Sequence, residues 1–154
     1  DQSFGTDGDV IAQQDTATPV ERVSYVKFDL SSLPADIERA ELRLFARVEA
    51  DTSTSVSFYG VGDDNWDDAS DVPTWNNRPT TSSSLGATSF FRDLYAWGSV
   101  DVTSFVQSQL QGNGIASFAW QTAEDGSPAL HASSRERGPA NGVPREAVLR
   151  VYLP

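Results

Sequence analysis

The chain has 154 residues, of which 38% are hydrophobic, so it supports one core and we expect a single domain over residues 1–154. Its formal net charge of -11 at pH 7 argues against a nucleic-acid partner, because phosphate binding requires positive surface. Cysteine is absent and no apolar run approaches the roughly 18 residues that cross a bilayer, which excludes disulfides and thiolate metal sites and predicts no membrane partner.

Short runs of period-two alternation, separated by turn residues, predict an all-β sandwich or barrel rather than alternating strands and helices. The clearest strand covers residues 23–30, where Val26 and Phe28 mark the face that turns to the core. The opposite face carries Tyr25 and Lys27, which we therefore expect to point outward.

A second strand follows the Ser-Ser-Leu-Pro turn that ends the first one. Residues 40–48 place leucine, alanine and valine on one face and Glu41, Arg43, Phe45 and Arg47 on the other. The outer face of this strand therefore combines two basic side chains with an aromatic ring.

Four further strands are predicted by runs of β-branched and aromatic residues near Gly, Pro or Asp, at residues 55–61, 116–122, 128–134 and 147–153. The polar stretch at residues 63–84 contains Pro73 and Pro79. It is predicted to be an ordered loop that crosses from one sheet to the other.

One short helix is predicted at residues 101–110, where Phe105 and Val106 fall at helical spacing. Asp101 or Thr103 can cap its start. We expect this helix to close one end of the sandwich, and we expect Trp97 and Trp120, outside it, to pack in the core or at an edge.

Five blocks of sequence occur in a recognisable order: YVKFDLSSLP at 25–34, AELRL at 40–44, TWNNRP at 74–79, VDVTSFV at 100–106 and SRE at 134–136. In this order they resemble the DNRLRE-type modules, which are similar to the carbohydrate-binding modules of family 96 found beside polysaccharide lyases. The resemblance implies a jelly-roll β-sandwich of two antiparallel sheets, a secreted, extracellular setting, and binding of an acidic polysaccharide such as alginate. The family usually opens with a further strand, whereas this chain starts at what resembles the end of the following loop, so we expect a fragment of a larger secreted protein.

The basic outward side chains suggest where such a ligand binds. Lys27, Arg43 and Arg47 have outward parity on strands joined by one turn, and adjacent strands lie about 4.8 Å apart. Arginine suits this task because its planar group grips a carboxylate with two hydrogen bonds. The predicted ligand-binding residues are Lys27, Arg43, Arg47, Arg135, Tyr25, Phe45, His131 and Arg22, and Tyr59 offers a further outward ring.

The same arginines have a simpler interpretation, in which they pair with Glu41 or Glu136 on an ordinary solvated face. The domain is then a structural or adhesive segment of a bacterial surface protein. We expect no enzyme, because the chain has a single histidine and lacks a Gly-x-Ser-x-Gly elbow. A polysaccharide lyase that uses Tyr25 or His131 as the base beside Arg43 is the second alternative.

We expect that no cofactor is required. The Asp63, Asn65 and Asp67 spacing starts like an EF-hand loop, but the sixth position is Asp68 instead of glycine. A structural calcium would need another set of oxygen ligands, for which Asp7, Asp9 and Asp29 are the candidates. The expected partners are an acidic polysaccharide and a linked catalytic domain, with the module itself a monomer.

Overall fold

The computed structural model describes residues 9–17, 20–49, 52–67, 73–74, 76–91, 94–134 and 145–154. Within them the chain forms ten strands and one helix. The strands are β1 (Asp9–Asp15), β2 (Val20–Arg22), β3 (Ser24–Asp29), β4 (Arg39–Val48), β5 (Thr54–Val61), β6 (Thr81–Phe90), β7 (Ala96–Asp101), β8 (Ile115–Thr122), β9 (Leu130–Ser133) and β10 (Val148–Tyr152). The helix is α1 (Thr103–Leu110), and no helix among these residues is long and apolar enough to cross a lipid bilayer.

The strictest apolar alternation in the sequence forms the centre of the larger sheet. Leu42 and Val48 of β4 are fully buried, while the positions between the buried ones stay partly exposed. In this six-stranded sheet, β7 pairs with one edge of β4 at residues 41–46. β10 pairs with the other edge at 39–43 and β9 at 46–48, and β1 then connects β9 to β2.

A four-stranded sheet in the order β3-β8-β5-β6 packs on the first, and its neighbouring strands are antiparallel. The largest buried side chains between the sheets are Trp120, Phe58, Phe90 and Phe118. Burial of a large apolar side chain contributes roughly 1.5–3 kcal/mol, so these rings dominate the core. The predicted class, an all-β sandwich of two antiparallel sheets with one short helix, is confirmed.

The helix lies where the apolar spacing predicted it. Val106 is fully buried, and the ring of Phe105 contacts Phe118 with 5.2 Å between centroids. Asp101 accepts the backbone N–H of Thr103 at 3.0 Å and its hydroxyl at 2.7 Å. These hydrogen bonds lower the pKa of the Asp101 carboxyl. The N-cap residue itself is Val102, which makes no side-chain cap hydrogen bond, so the prediction that Asp101 or Thr103 caps the helix was wrong.

The six strands predicted from alternation correspond to β3, β4, β5, β8, β9 and β10. The stretch at residues 63–84 was predicted wrongly in two respects. Its last residues belong to β6, which begins at Thr81. It also joins β5 to β6, which pair within one sheet, so it does not cross between the sheets. β1, β2 and β7 were missed as well.

Candidate functional site

The outer face of β4 carries Arg43, Phe45 and Arg47 side by side, as the alternation predicted. Two more side chains lie directly beside these residues on the neighbouring strands. Phe45 stands opposite Trp97 of β7, and Arg47 stands opposite His131 of β9. Four predicted site residues, Arg43, Phe45, Arg47 and His131, therefore converge with Trp97 on the outer face of the six-stranded sheet.

Three aromatic rings form a cluster on this face. The Phe45 ring lies 5.3 Å from that of Tyr95, nearly parallel at 24°, and 5.3 Å from that of Trp97, tilted by 44°. Aromatic pairs at such separations attract each other beyond their burial. Trp97 lies at the edge of the larger sheet, which was one of the two positions predicted for it. Its place beside the basic side chains was not predicted.

Each ring of the cluster lies under one guanidinium group. Cζ of Arg43 is 4.9 Å from the Trp97 centroid, and Cζ of Arg47 is 5.6 Å from that of Tyr95. Cζ of Arg145, which precedes β10, is 5.8 Å from the Phe45 centroid. We call these six side chains the arginine–aromatic face: Arg43, Arg47, Arg145, Phe45, Tyr95 and Trp97.

The arginines of this face are not neutralised by carboxylates within the described part of the chain. No Asp or Glu oxygen of those residues lies within 4.0 Å of a guanidinium nitrogen of Arg43, Arg47 or Arg145. Glu41, one of the two expected partners, instead binds Arg39 at 2.6 Å and accepts the Tyr152 hydroxyl at 3.0 Å. Glu136, the other expected partner, lies outside the described residues. Among the described residues, the guanidinium edges of the face stay available for hydrogen bonds.

A hydrogen-bond network beside the face holds the Tyr95 ring under Arg47. The Tyr95 hydroxyl donates to Asp9, with its oxygen 2.9 Å from Oδ2 and 3.0 Å from Oδ1. His131 lies between two carboxylates, with Nδ1 3.7 Å from Oδ2 of Asp9 and Nε2 3.4 Å from Oε2 of Glu49. His131 therefore borders the face and helps to orient it.

The model of carbohydrate-binding module family 96 matches residues 1–144. The chain belongs to this family. Modules of this kind bind polysaccharides and are generally non-catalytic. Among curated proteins, none matches the chain.

The family 96 module does not bring all the predicted basic residues together. Lys27 lies on β3, so it faces outward from the four-stranded sheet, on the far side of the sandwich from Arg43 and Arg47. Its Nζ donates to the backbone oxygens of Asp64, at 3.1 Å, and of Trp66, and it lies 4.9 Å from the Trp66 ring. The prediction of one basic row was wrong, because consecutive strands here belong to different sheets.

Two more predicted residues lie away from the face. Arg22 is exposed on β2, which is separated from β4 by β9 and β1, so it sits roughly 14 Å from the β4 row. Tyr25 is on the same face as Lys27 and donates to the Pro79 oxygen at 3.4 Å. Burial raises the pKa of the Tyr25 phenol, although the Arg78 charge opposes that shift. Arg135 lies outside the described residues.

The geometry also bears on the lyase alternative and on calcium. Tyr25 and Arg43 lie on opposite faces of the sandwich, so they do not form a base and neutraliser pair. In the described residues, no group of three or more acidic or histidine side chains is placed to hold a metal ion. The Asp29 carboxylate accepts the Ser31 N–H at 2.8 Å and Asp9 binds Tyr95, while Asp7 lies outside the described residues. Structural calcium stays a prediction.

Proposed function

We propose that this module binds an acidic polysaccharide, alginate or another uronate-bearing or sulfated glycan, on the arginine–aromatic face. It acts without catalysis, in the extracellular space, and holds a linked polysaccharide-degrading enzyme on its substrate. Linkage turns the enzyme's next encounter with the polymer into an intramolecular one, which raises its effective concentration.

The observation that carries this proposal is that three guanidinium groups each lie over an aromatic ring. Stacking on a ring holds the plane of a guanidinium group while its N–H edge stays free. Less side-chain freedom is then lost when the group grips a carboxylate with two hydrogen bonds. An acidic chain presents such groups at regular intervals, which matches several arginines held on one sheet.

The first experiment measures binding to alginate, polyguluronate, polymannuronate, pectate, ulvan and chondroitin sulfate by affinity gel electrophoresis and calorimetry. The test variant is Arg43→Ala with Arg47→Ala, and the matched control is Arg150→Ala with Arg22→Ala. Both pairs remove two positive charges, but Arg150 and Arg22 are exposed and no described ring lies under either. A lost hydrogen bond to a charged group costs about 1.5–3 kcal/mol, so the test variant should bind at least about tenfold more weakly.

Three outcomes would contradict the proposal. If none of the six polymers binds the wild-type protein, the structural or adhesive alternative replaces it. Arg150 pairs with Glu41 and therefore shares the outer face of the six-stranded sheet with Arg43. If both double variants lose affinity equally, any positive charge on this sheet face suffices, and the arginine–aromatic face is not the specific site. Release of unsaturated uronate ends from any polymer would instead establish the lyase alternative.

A further inference from the structure

A cleft opens on the opposite outer face, that of the four-stranded sheet. Tyr25 of β3 and Tyr59 of β5 both pair in register with Ala119 of β8. The two tyrosines therefore stand two strand spacings apart, roughly 9–10 Å, on either side of Ala119, which is itself fully buried. The cleft they border has a volume of about 570 Å³, within the range of roughly 300–1,000 Å³ typical of small-ligand sites.

Among the described residues, the polar lining of the cleft is balanced in charge. These residues supply one carboxylate and one guanidinium group among uncharged donors and acceptors: Glu21, Asn76, Arg78, Thr80, Thr81 and Gln121. Gln121 Nε2 donates to Oε1 of Glu21 at 3.2 Å, which orients both groups. Lys27, on the same face, does not line the cleft, and its ammonium group binds backbone oxygens of the loop that follows β5.

We infer that this cleft is a second carbohydrate site, which takes a short segment of a neutral, hydroxyl-rich glycan. Carboxylate, amide, guanidinium and hydroxyl groups together satisfy sugar hydroxyls, which both donate and accept hydrogen bonds. Tyrosine rings cover the apolar C–H faces of a sugar and contribute a hydroxyl at the edge. The module then binds two chemically different glycans on opposite faces.

The two sites differ in charge and therefore in the glycans that they favour. The arginine–aromatic face has three guanidinium groups, whereas an acidic chain in the cleft would bring its carboxylates to Glu21 as well as to Arg78. Like charges at close range disfavour binding, and the repulsion is strongest at low salt. The cleft therefore selects an uncharged segment, and its affinity should change little with ionic strength.

The inference is tested by titrating the ¹⁵N-labelled chain with hexasaccharides of cellulose, xylan, mannan and laminarin, and with hexaguluronate as the charged probe. At least one neutral probe should shift the amide signals of Tyr59, Thr81 and Gln121 and leave those of Arg43 and Trp97 unmoved. Tyr59→Ala should weaken that binding about fivefold to tenfold through loss of the ring, while Tyr59→Phe should keep most of it. Near-UV circular dichroism and thermal unfolding verify that each variant is folded.

Binding of the neutral probe should be unchanged in the variant with Arg43→Ala and Arg47→Ala, so the two sites fail or succeed independently. The inference is overturned if no neutral probe shifts the cleft signals, or if Tyr59→Ala binds as well as the wild type. It is also overturned if hexaguluronate is the probe that enters the cleft and salt removes it, because Arg78 is then part of an anionic subsite.

Discussion

At the scale of single residues, the positive charges of this module differ in what surrounds them. Arg43 lies over Trp97 with its N–H edge unpaired among the described residues. The ammonium group of Lys27 is bound to two backbone oxygens and lies near the Trp66 ring. The first arrangement suits a ligand, and the second holds a loop.

Arg43→Lys should weaken polysaccharide binding although it keeps the charge. Lysine has no planar fork for a carboxylate and does not stack on Trp97 as a flat group. One of the two charge-assisted hydrogen bonds of a bidentate grip is lost, which at about 1.5–3 kcal/mol corresponds to at least about tenfold in affinity. Calorimetry with the best-binding polymer measures the change, with Arg150→Lys as the control. Equal affinity of Arg43→Lys and wild type would mean that charge alone is recognised.

Lys27→Met should lower stability and leave polysaccharide binding intact. Methionine keeps most of the alkyl chain but removes the donor to Asp64 and Trp66, whose backbone oxygens then lose a charged partner. We expect a loss of about 1–3 kcal/mol in the free energy of unfolding, measured by urea denaturation. Arg22→Met, at an exposed position, is the control. A Lys27→Met variant with normal stability and reduced binding would place the ammonium group in the ligand site.

At the scale of elements, the position of Trp97 depends on how closely β7 packs on the strand before it. A Cβ at Gly98 would lie 2.5 Å from Cζ of Phe90, a buried ring of the core. Only a glycine therefore lets β7 lie at this distance from β6. The residue directly before this glycine is Trp97, which lies under Arg43. Core packing and the arginine–aromatic face are coupled through this strand.

Gly98→Ala should both destabilise the protein and disturb the site. Overpacking of this kind costs typically 1–3 kcal/mol, and displacement of β7 moves the Trp97 ring away from Arg43. Gly62→Ala is the matched control, because nothing lies within 4 Å of a Cβ there. Urea denaturation and polysaccharide affinity at a temperature where both variants are folded give the two readouts. If Gly98→Ala loses stability but keeps full affinity, the coupling between core and face does not exist.

The elements also show which structural information is readable in the sequence. β4 was predictable because buried and partly exposed positions alternate along its whole length. β6 was not, since most of its residues are serine, threonine or glycine and only Phe90, at its end, is buried. Alternation likewise gave the outward direction of Lys27 and Arg43, but not that their strands lie in different sheets, because sheet membership depends on pairing far along the chain.

At the scale of the whole molecule, a chain with a net charge of -11 is expected to hold a polyanion on one basic face. The distance over which charges act depends on the salt concentration, and this distance decides whether the net charge or the basic face dominates the interaction with the ligand. At about 0.01 M salt the Debye length is about 30 Å, larger than the radius of gyration of roughly 15 Å for a domain of this length. The ligand then experiences the repulsion of the entire molecule.

Affinity for the acidic polysaccharide should therefore pass through a maximum as salt increases. Near 0.15 M the Debye length is about 8 Å, so distant carboxylates are screened while the arginines in contact still act, and near 1 M it is about 3 Å, which weakens the contacts themselves. Calorimetric titrations from 0.01 to 1 M sodium chloride, set beside a neutral hexasaccharide whose affinity should stay level, measure the profile. A steady decrease in affinity from the lowest salt concentration would show that attraction by the arginine–aromatic face exceeds repulsion by the rest of the molecule even when neither is screened. A steady rise would show that apolar contact, and not the guanidinium groups, holds the polymer.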